Sequence, residues 1–471
     1  MIINTRDNIA NQLSNKVYDV CICGAGPAGI TLARKLAEKG RQVALMEGGD
    51  RSLSSDSQQL YRGDSLGTPY PVAASRLRYF GGTSNHWGGE TRPLDERDFQ
   101  PLAYHPYNEW PIAKQDLDVY TAEVSKILDL DQPDLKDDVF DNKASNLPLM
   151  TPAYRYSKPV TRFGIKYGEE ISESPNIHLH LNANLVDISL NNDHDEVSEF
   201  VFRYDPESQA FAIKARYFVL SCGGLENPRA LLLANKQMSN GIGNRHDMVG
   251  RHFCEHIETT IGSAVMKESH ESTGFNICTD VLMRSKKCLS FLVEFSATGS
   301  DENSSFLQRL YDSIFGASEP ELQSEISLII QQACNPESRV TLTDKKDEFG
   351  LKRLALNWRQ TALDHHTIRT AAIEVANTLA RHDIGRMKVA PFILDRSVEI
   401  PIGFMNHHMC TTRMSKDERT GVVDQDCKVF GLDNFFIAGS SVFASAGVSN
   451  PTYTIIQLAL RLGGHMNELL D

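Results

Sequence analysis

The stretch from Val17 to Gly29 reads Val-Tyr-Asp-Val-Cys-Ile-Cys-Gly-Ala-Gly-Pro-Ala-Gly and decides the fold. Its first seven residues form a short apolar run, which is typical of a buried parallel strand. A glycine loop follows, and Pro27 to Lys39 then carries apolar residues at helical spacing. Gly40 fits a C-cap and Gln42 to Met46 returns to a strand. The segment therefore predicts a complete βαβ unit.

The glycine loop has the spacing GxGxxG, formed by Gly24, Gly26 and Gly29. At a strand-to-helix junction, backbone N–H groups and the helix dipole receive a pyrophosphate without interference from side chains. Glu47 lies 18 residues beyond Gly29, where a carboxylate can accept both ribose hydroxyls. The pattern favours dinucleotide binding over a tight turn in an unliganded α/β unit, and by itself it does not separate FAD from NAD.

Later segments extend this unit and add different material. Tyr217 to Ser221 and Phe435 to Ala438 are apolar runs that enter small-residue turns, so one sheet is expected to draw on segments hundreds of residues apart. Between them lie strand-like pieces joined by polar turns, which predict an antiparallel sheet in a second domain. These pieces are residues 263–266, 289–295, 326–330, 339–342 and 354–358.

The amino-acid composition limits the classes to which the protein can belong. The chain has 471 residues, 41% of them apolar and 23% charged, as expected of a globular enzyme with two or three domains. Forty-eight Lys and Arg against 61 Asp and Glu give a net charge of −13, which predicts no nucleic-acid partner and no anionic membrane surface.

The N-terminal residues carry no apolar signal segment, and no apolar run approaches about 18 residues, so we expect a cytoplasmic protein. Nine scattered cysteines without a CxxC pair favour reduced thiols. The stretch from His252 to His256 looks like a metal site, but no second ligand cluster accompanies it. We therefore predict no metal.

Five motifs in order resemble the glucose-methanol-choline (GMC) family of flavoprotein alcohol oxidoreductases. Besides the glycine loop they are Ser75–Gly89 (SRLRYFGGTSNHWGG), Ser221–Arg229, Val249–His256 and the C-terminal part from His407, which includes Asn450-Pro-Thr. The resemblance covers nearly the whole chain. It implies an α/β fold, with a Rossmann-like FAD-binding domain built from residues 1–99, 165–262 and 400–471. It also implies a substrate-binding domain with an antiparallel sheet, built from residues 100–164 and 263–399.

The resemblance implies FAD as cofactor and assigns its binding residues. Gly81 and Gly82 let the backbone approach the isoalloxazine ring, and Thr83, Ser84 and Asn85 supply hydrogen bonds to its polar edge. The implied cofactor-binding set is Gly24, Gly26, Pro27, Ala28, Gly29, Glu47, Gly48, Arg78, Gly81, Gly82, Thr83, Asn85, His86, Trp87, Gly88, Leu185, Gly439, Ser440, Asn450, Pro451 and Thr452.

His86 carries a separate hypothesis about how FAD is held. It lies five residues after Gly81, the offset at which pyranose oxidases and choline oxidases of the family bond a histidine to the flavin methyl group. The resemblance thus implies a possible covalent 8α-histidyl link. Many relatives with a similar His-Trp hold FAD without a bond, and His86 then packs against the ring.

The resemblance places the catalytic base at His407, three residues before the position that is usually glycine. Alcohol oxidation by hydride loss needs a base for the hydroxyl proton, and a neutral histidine suits that role. Cys410 takes the place of the glycine and adds a side chain beside the flavin, and His408 is the alternative base if the turn is shifted.

Asn450 fills the partner position of the catalytic pair. Asparagine can donate to the substrate oxygen but cannot act as a base, so the proton falls to His407. A second interpretation makes Asn450 the N-cap of a helix from Pro451 to Leu462, with its side chain bonded to first-turn amides. Both interpretations bring the positive end of that helix near the flavin.

The expected function is oxidation of a CH–OH group of a sugar-like, polyol or related alcohol, with hydride transfer to flavin N5. Oxygen, a quinone or a redox protein would accept the electrons. The alternatives are a lyase of the same fold with structural FAD and a non-catalytic flavin-binding protein. An apolar stripe from Phe306 to Ile314 is interpreted as core.

Overall fold

A computed structural model describes residues 2–4, 16–131, 148–267, 275–297 and 323–471. The apolar stripe from Phe306 to Ile314 lies outside the described residues. The described chain is a mixed helix and sheet structure with two large sheets and two small ones.

The strands of the described residues are β1 (Ile2–Asn4), β2 (Val17–Cys23), β3 (Val43–Met46), β4 (Asp64–Gly67), β5 (Glu90–Thr91), β6 (Leu149–Met150), β7 (Arg155–Tyr156), β8 (Ile177–Leu181), β9 (Asn184–Leu190), β10 (Val197–Arg203), β11 (Phe211–Leu220), β12 (His256–Met266), β13 (Phe275–Cys278), β14 (Phe291–Ala297), β15 (Gln323–Gln331), β16 (Arg339–Lys346), β17 (Lys352–Trp358), β18 (Gly385–Val389), β19 (Gly403–Phe404) and β20 (Phe435–Ile437).

The α-helices are α1 (Pro27–Ala37), α2 (Ser55–Gln59), α3 (Gln115–Asp118), α4 (Thr121–Ile127), α5 (Phe163–Lys166), α6 (Gly168–Glu173), α7 (Gly223–Leu233), α8 (Asp280–Lys286), α9 (Ala362–Arg381), α10 (Pro391–Leu394) and α11 (Thr452–Leu470). Three short 3-10 helices span Gly82–Asn85, Glu96–Phe99 and Ser440–Val442.

The first large sheet confirms the βαβ prediction and its distant additions. Its strands run in the order β1-β8-β3-β2-β11-β10-β9, and β20 also pairs with β11. From β1 to β11 neighbouring strands are parallel, as is the β11–β20 pair, whereas β10 pairs antiparallel with β9 and β11. The parallel strands β2 and β3 are almost fully buried, because helices and loops cover both faces. Their carboxyl ends converge on one edge.

The second large sheet is antiparallel, with the order β18-β12-β15-β14-β13-β6 and β19 beside β12. Its strand β12 begins at His256, so the expected domain border at residue 262 falls inside a strand. Helix α9 contributes Ile368, Ala372 and Val375 to the core that it shares with the inner residues of this sheet. The opposite face carries Leu292 and Ile329, which cluster with Val448 of the C-terminal segment.

One sheet assignment from sequence is wrong. Residues 339–342 and 354–358 do not join the antiparallel sheet: as β16 and β17 they form a separate sheet with β4, which is parallel to β17. The pairing partner β4 lies almost 300 residues earlier, so the local pattern of β16 and β17 carries no information about it. Within the described ranges, no helix has the length and apolar content needed to cross a bilayer.

Candidate active site

The two glycine turns of the sequence motifs pack backbone against backbone. Gly81 N–H donates to the carbonyl of Ala25 at 2.9 Å. Gly24 has φ of +109°, and a Cβ on Gly29 would lie 1.9 Å from the carbonyl oxygen of Gly24. A Cβ on Gly82 would lie 3.1 Å from the Cα of Gly26. Side chains are thus excluded where the turns meet, and the first turn of α1 faces an open cavity.

This cavity has a volume of about 620 Å³. It is lined by both glycine turns, by the carboxyl ends of β2, β3 and β11, and by the segments around residues 405–408 and 450–455. The site residues expected from sequence that line it are Gly24, Gly26, Pro27, Ala28, Glu47, Gly48, Arg78, Gly82, Thr83, His86, Trp87, Gly88, Leu185, His407, Gly439, Ser440, Asn450, Pro451 and Thr452.

Three expected cofactor residues do not line the cavity: Gly29, Gly81 and Asn85. The two glycines lie where the turns pack, outside the cavity lining. The side-chain amide of Asn85 donates to the carbonyl of Phe80 at 3.0 Å, so it holds its own turn together. Direct binding of the cofactor by Asn85 stays a prediction, since the side chain already bonds within its own turn and lies outside the cavity lining.

Glu47 is buried at the end of β3, and each of its oxygens already accepts one backbone N–H. Ala25 N–H donates at 3.1 Å and Gly49 N–H at 2.8 Å. A carboxylate offers about four acceptor positions, so two remain for hydroxyl donors from the cavity. Beside it, the Arg78 guanidinium donates to the Asn184 side chain at 2.9 Å and to the Ser57 hydroxyl at 2.9 Å. These bonds fix the charge of Arg78 at the cavity wall.

The His86 ring lies at the cavity wall directly after the Gly82–Asn85 turn. Burial lowers the pKa of His86, and the charge of Arg162 lowers it further, so the ring is neutral at pH 7. Next to it, the Trp87 indole donates to the carbonyl of Thr161 at 2.8 Å, which fixes the turn. A neutral ring nitrogen is thus available to a group in the cavity.

His407 is held at the cavity by a buried carboxylate and a second histidine. Its backbone N–H donates to both oxygens of Glu255, at 2.7 and 3.0 Å. Its Nδ1 lies 2.9 Å from Nδ1 of His256. Burial and the neighbouring histidines hold the pKa of His407 well below its usual range. The imidazole is therefore neutral and able to accept a proton.

His408, the alternative base, has different surroundings from His407. Although it also lines the cavity, its ring packs in the core with Tyr70 at 5.6 Å and Phe253 at 6.1 Å between ring centroids. Its Nε2 is buried without a hydrogen-bond partner. Burial lowers the pKa of His408 to about 3. Of the two adjacent histidines, only His407 has a buried polar network behind it.

Cys410 lies in a backbone conformation that favours glycine. Its φ is +70°, in the left-handed region that glycine adopts without strain. Its N–H donates to the carbonyl of Ser440 at 3.1 Å. The turn that follows His407 is therefore tied to the Ser440 segment through the Cys410 main chain.

Asn450 lines the cavity with His407, and its Nδ2 donates to the carbonyl of Glu90 at 3.0 Å. Helix α11 begins at Thr452, its N-cap is Pro451, and no side chain caps it. The interpretation of Asn450 as an N-cap is therefore wrong. The helix runs to Leu470, beyond the expected end at Leu462, because the apolar face continues through Leu462 and Met466.

A buried ion network at the cavity wall was missed from sequence. Arg229 donates to Asp347 at 2.6 Å and to Glu226 at 3.0 Å, and Arg76 pairs with Glu226 at 2.9 Å. Three of these residues lie in motifs quoted from the sequence, so their position signalled the cavity but their pairing did not. Asp347 follows β16, and nothing in its local sequence indicates a contact with Arg229.

Comparisons with known proteins show what this chain is similar to. Residues 335–459 match the family model described as GMC oxidoreductase. The fructose dehydrogenase large subunit of Gluconobacter japonicus is 22% identical over 94% of this chain and 96% of its own. The 2-methyl-1,2-propanediol dehydrogenase of Mycolicibacterium austroafricanum is 23% identical over 96% of this chain and 95% of its own.

A third relative is the 6'''-hydroxyparomomycin C oxidase of Streptomyces lividus, 23% identical over 97% of this chain and 92% of its own. The fold resembles the crystal structure of pyridoxine 4-oxidase from Mesorbium loti, with a TM-score of 0.61 and 15% identity over 96% of this chain and 99% of the other. The protein is thus an oxidoreductase. Residues 335–459 carry a domain of the GMC oxidoreductase family, whose members are FAD-binding flavoproteins.

Proposed function

We propose that the protein is an FAD-dependent oxidoreductase that oxidises a CH–OH group of a sugar-like, polyol or related alcohol. One observation carries this proposal: a single cavity of about 620 Å³ is lined by the glycine loop with Glu47 and also by His407 with Asn450. The Rossmann-like parallel half of the first sheet opens on that cavity at its carboxyl edge. FAD bound there supplies a hydride acceptor beside the catalytic pair.

The cavity wall around the glycine loop and Glu47 fits a dinucleotide. Gly26 at the start of α1 presents backbone without a side chain, which suits a pyrophosphate. Glu47 keeps acceptor positions for ribose hydroxyls, and Leu185 offers an apolar contact for an adenine ring. The two glycine turns allow the close approach of a flat ring system to the backbone near Gly82.

His407 is the proposed base for the substrate hydroxyl. Proton removal raises the electron density on the alcohol oxygen and promotes departure of the hydride from the adjacent carbon. His407 suits this step because it is neutral and fixed by Glu255 and His256. Its fixed position also reduces the entropy lost in reaching the reactive geometry.

Asn450 is the proposed second contact of the substrate oxygen. One hydrogen of its Nδ2 is used by the carbonyl of Glu90. The other hydrogen is free to donate to the alcohol, and afterwards to the carbonyl product. Asn450 thus orients the oxygen toward His407 while Pro451 and Thr452 bring the N-terminus of α11 to the same place.

The proposed substrate class follows the chemistry that the names of the relatives state: fructose, a propanediol and a hydroxyparomomycin. Each is a polar molecule with a CH–OH group. Oxygen, a quinone or a redox protein is the proposed electron acceptor. We propose a cytoplasmic enzyme that needs no metal, and neither nucleic acid nor a membrane as partner.

The proposal is tested by the visible absorbance of the purified protein, followed by anaerobic additions of fructose, 1,2-diols, aminoglycosides and glycosides. We expect a flavin spectrum that bleaches with at least one of these alcohols. A protein without flavin would contradict the proposal. So would a flavin that stays oxidised with every alcohol while the protein cleaves a carbon–carbon bond, which is the result expected of a lyase.

We further propose that His86 is covalently bonded to the flavin, since its neutral ring lies at the cavity wall. Acid precipitation of the holoprotein tests this. Yellow colour in the pellet supports the bond, and the colour should move to the supernatant in His86→Ala. Colour in the supernatant of the wild type would refute the bond and leave His86 as a packing contact.

A further inference from the structure

His256 stands directly behind His407, outside the cavity lining, and links it to the main chain of the C-terminal segment. The two Nδ1 atoms are 2.9 Å apart, and the rings meet edge to face with centroids 4.9 Å apart. On its far side, Nε2 of His256 lies 3.1 Å from the carbonyl oxygen of Gly447. His256 is fully buried. The Gly447 carbonyl, the His256 ring and the His407 ring therefore form a line of polar contacts that ends at the cavity.

The end of this line at Gly447 fixes the proton on His256. A carbonyl oxygen can only accept, so Nε2 of His256 must carry the hydrogen. Burial lowers the pKa of His256 to about 4, although the nearby carbonyls oppose the shift, so the ring is neutral at pH 7. A neutral imidazole has one N–H, and Nδ1 of His256 is consequently a lone-pair acceptor.

The acceptor on His256 in turn fixes the proton on His407. Two nitrogen atoms 2.9 Å apart need one hydrogen between them, and only Nδ1 of His407 can supply it. His407 is itself neutral, so its remaining nitrogen, Nε2, carries a lone pair. The two contacts and the neutrality of both rings thus select one tautomer for each ring.

We propose that His256 is a positioning residue that holds His407 in the Nδ1–H tautomer and so makes Nε2 of His407 the proton acceptor of the active site. The proposal rests on the proposed function for its catalytic meaning. Its structural statement, one tautomer for each ring, stands on the two contacts together with the neutrality of both rings.

Other groups near the pair do not alter this assignment. Glu255 accepts the backbone N–H groups of His407 and His256 and the hydroxyl of Tyr70, and it makes no contact with either ring nitrogen. The His408 ring packs against Tyr70 and Phe253. When His407 takes up a proton at Nε2 during the reaction, its Nδ1–H still donates to His256. The donor and acceptor of this hydrogen bond therefore stay the same when His407 becomes charged.

The direct test is the nitrogen NMR spectrum of the holoprotein labelled with ¹⁵N-histidine, with His407→Gln and His256→Asn used for assignment. We expect His256 to be protonated at Nε2 and His407 at Nδ1, each as a neutral ring at pH 7. A spectrum that shows His407 protonated at Nε2, or either ring charged, would overturn the proposal. This readout does not depend on activity.

The kinetic test compares His256→Asn with His256→Leu. The Asn side-chain oxygen falls near the place of Nδ1 and can accept from His407, whereas Leu cannot. We expect Leu to slow flavin reduction at least about tenfold with little change in substrate Kd, as for other supporting contacts, and Asn to recover much of the rate. His365→Leu, on α9 outside the cavity lining, is the matched control.

The pH profile separates positioning from a structural role. In His256→Leu both ring tautomers of His407 become available, so the rate of flavin reduction should follow a shifted kinetic pKa. Equal rates and equal profiles in Leu and wild type would overturn the proposal. The failure of the proposed function is distinct: it would appear as undiminished flavin reduction in His407→Gln, whatever the tautomer.

Discussion

At the scale of single residues, Glu255 is the carboxylate that accepts the backbone N–H of His407. It is fully buried, and burial raises its pKa to about 7, although the hydroxyl of Tyr70 and the N–H of His407 partly oppose the shift. The sequence motif Val249–His256 belongs to the family resemblance but gave no sign of this contact. The reason is physical: His407 lies about 150 residues later, and a hydrogen bond across that distance has no local pattern.

A pH prediction follows from the raised pKa of Glu255. The folded state binds the proton more tightly than the unfolded state, whose pKa is near 4.5. The contribution of this proton to the free energy of unfolding is fully present below about pH 4.5 and is lost as the pH rises through 7. Compared with Glu255→Gln, the wild type should therefore lose stability between pH 5 and pH 8, by at most about 3 kcal/mol. The Tm values of wild type and Glu255→Gln at pH 5 and pH 8 measure this loss. A difference in Tm between the two proteins that is the same at both pH values would contradict the prediction.

Gly29 gives a second prediction at this scale. A methyl group there would meet the carbonyl of Gly24 at 1.9 Å and the hydroxyl of Ser221 at 2.7 Å. Gly29→Ala should therefore destabilise the fold by about 3 kcal/mol and reduce flavin content. Gly464→Ala in α11 is the control, because its nearest contact would be an ordinary 3.6 Å. Equal Tm and equal flavin content in the two variants would refute this account of the loop.

At the scale of elements, the sequence predicts what is local and misses what pairs at a distance. The unit β2-α1-β3 could be predicted because its apolar periods and its glycines are contiguous. The strands β16 and β17 could be recognised as strands. Their membership in a separate sheet could not, since β4 supplies the edge that they pair with. The same holds for Arg229 of α7, whose partner Asp347 lies 118 residues later.

The Arg229–Asp347 pair gives a prediction for these elements. Both side chains are more than nine-tenths buried. Removal of Asp347 leaves a buried guanidinium with Glu226 as its remaining carboxylate partner, so Asp347→Ala should lower the free energy of unfolding by about 3 kcal/mol. Lys345→Ala breaks an exposed pair with Asp64 and should cost less than about 1 kcal/mol. Urea unfolding measures both, and equal losses would contradict the prediction.

At the scale of the whole molecule, the active site is an assembly of distant segments. The glycine loop, the Gly82–Asn85 turn and the His407 and Asn450 segments span more than 400 residues of chain and line one cavity. Most of the site residues expected from sequence line this cavity, because their motifs are specific to a family. Their support by His256, Glu255 and the buried ion network could not, because it arises only when the sheets pack together.

The central claim, that His407 is the base of an FAD-dependent alcohol oxidation, is tested most directly by the anaerobic rate of flavin reduction in His407→Ala and wild type at equal flavin content. A general base contributes typically about a hundredfold or more. We expect His407→Ala to keep its FAD and its rate of flavin reduction to fall at least about a hundredfold. A variant that reduces its flavin at nearly the wild-type rate would contradict the account.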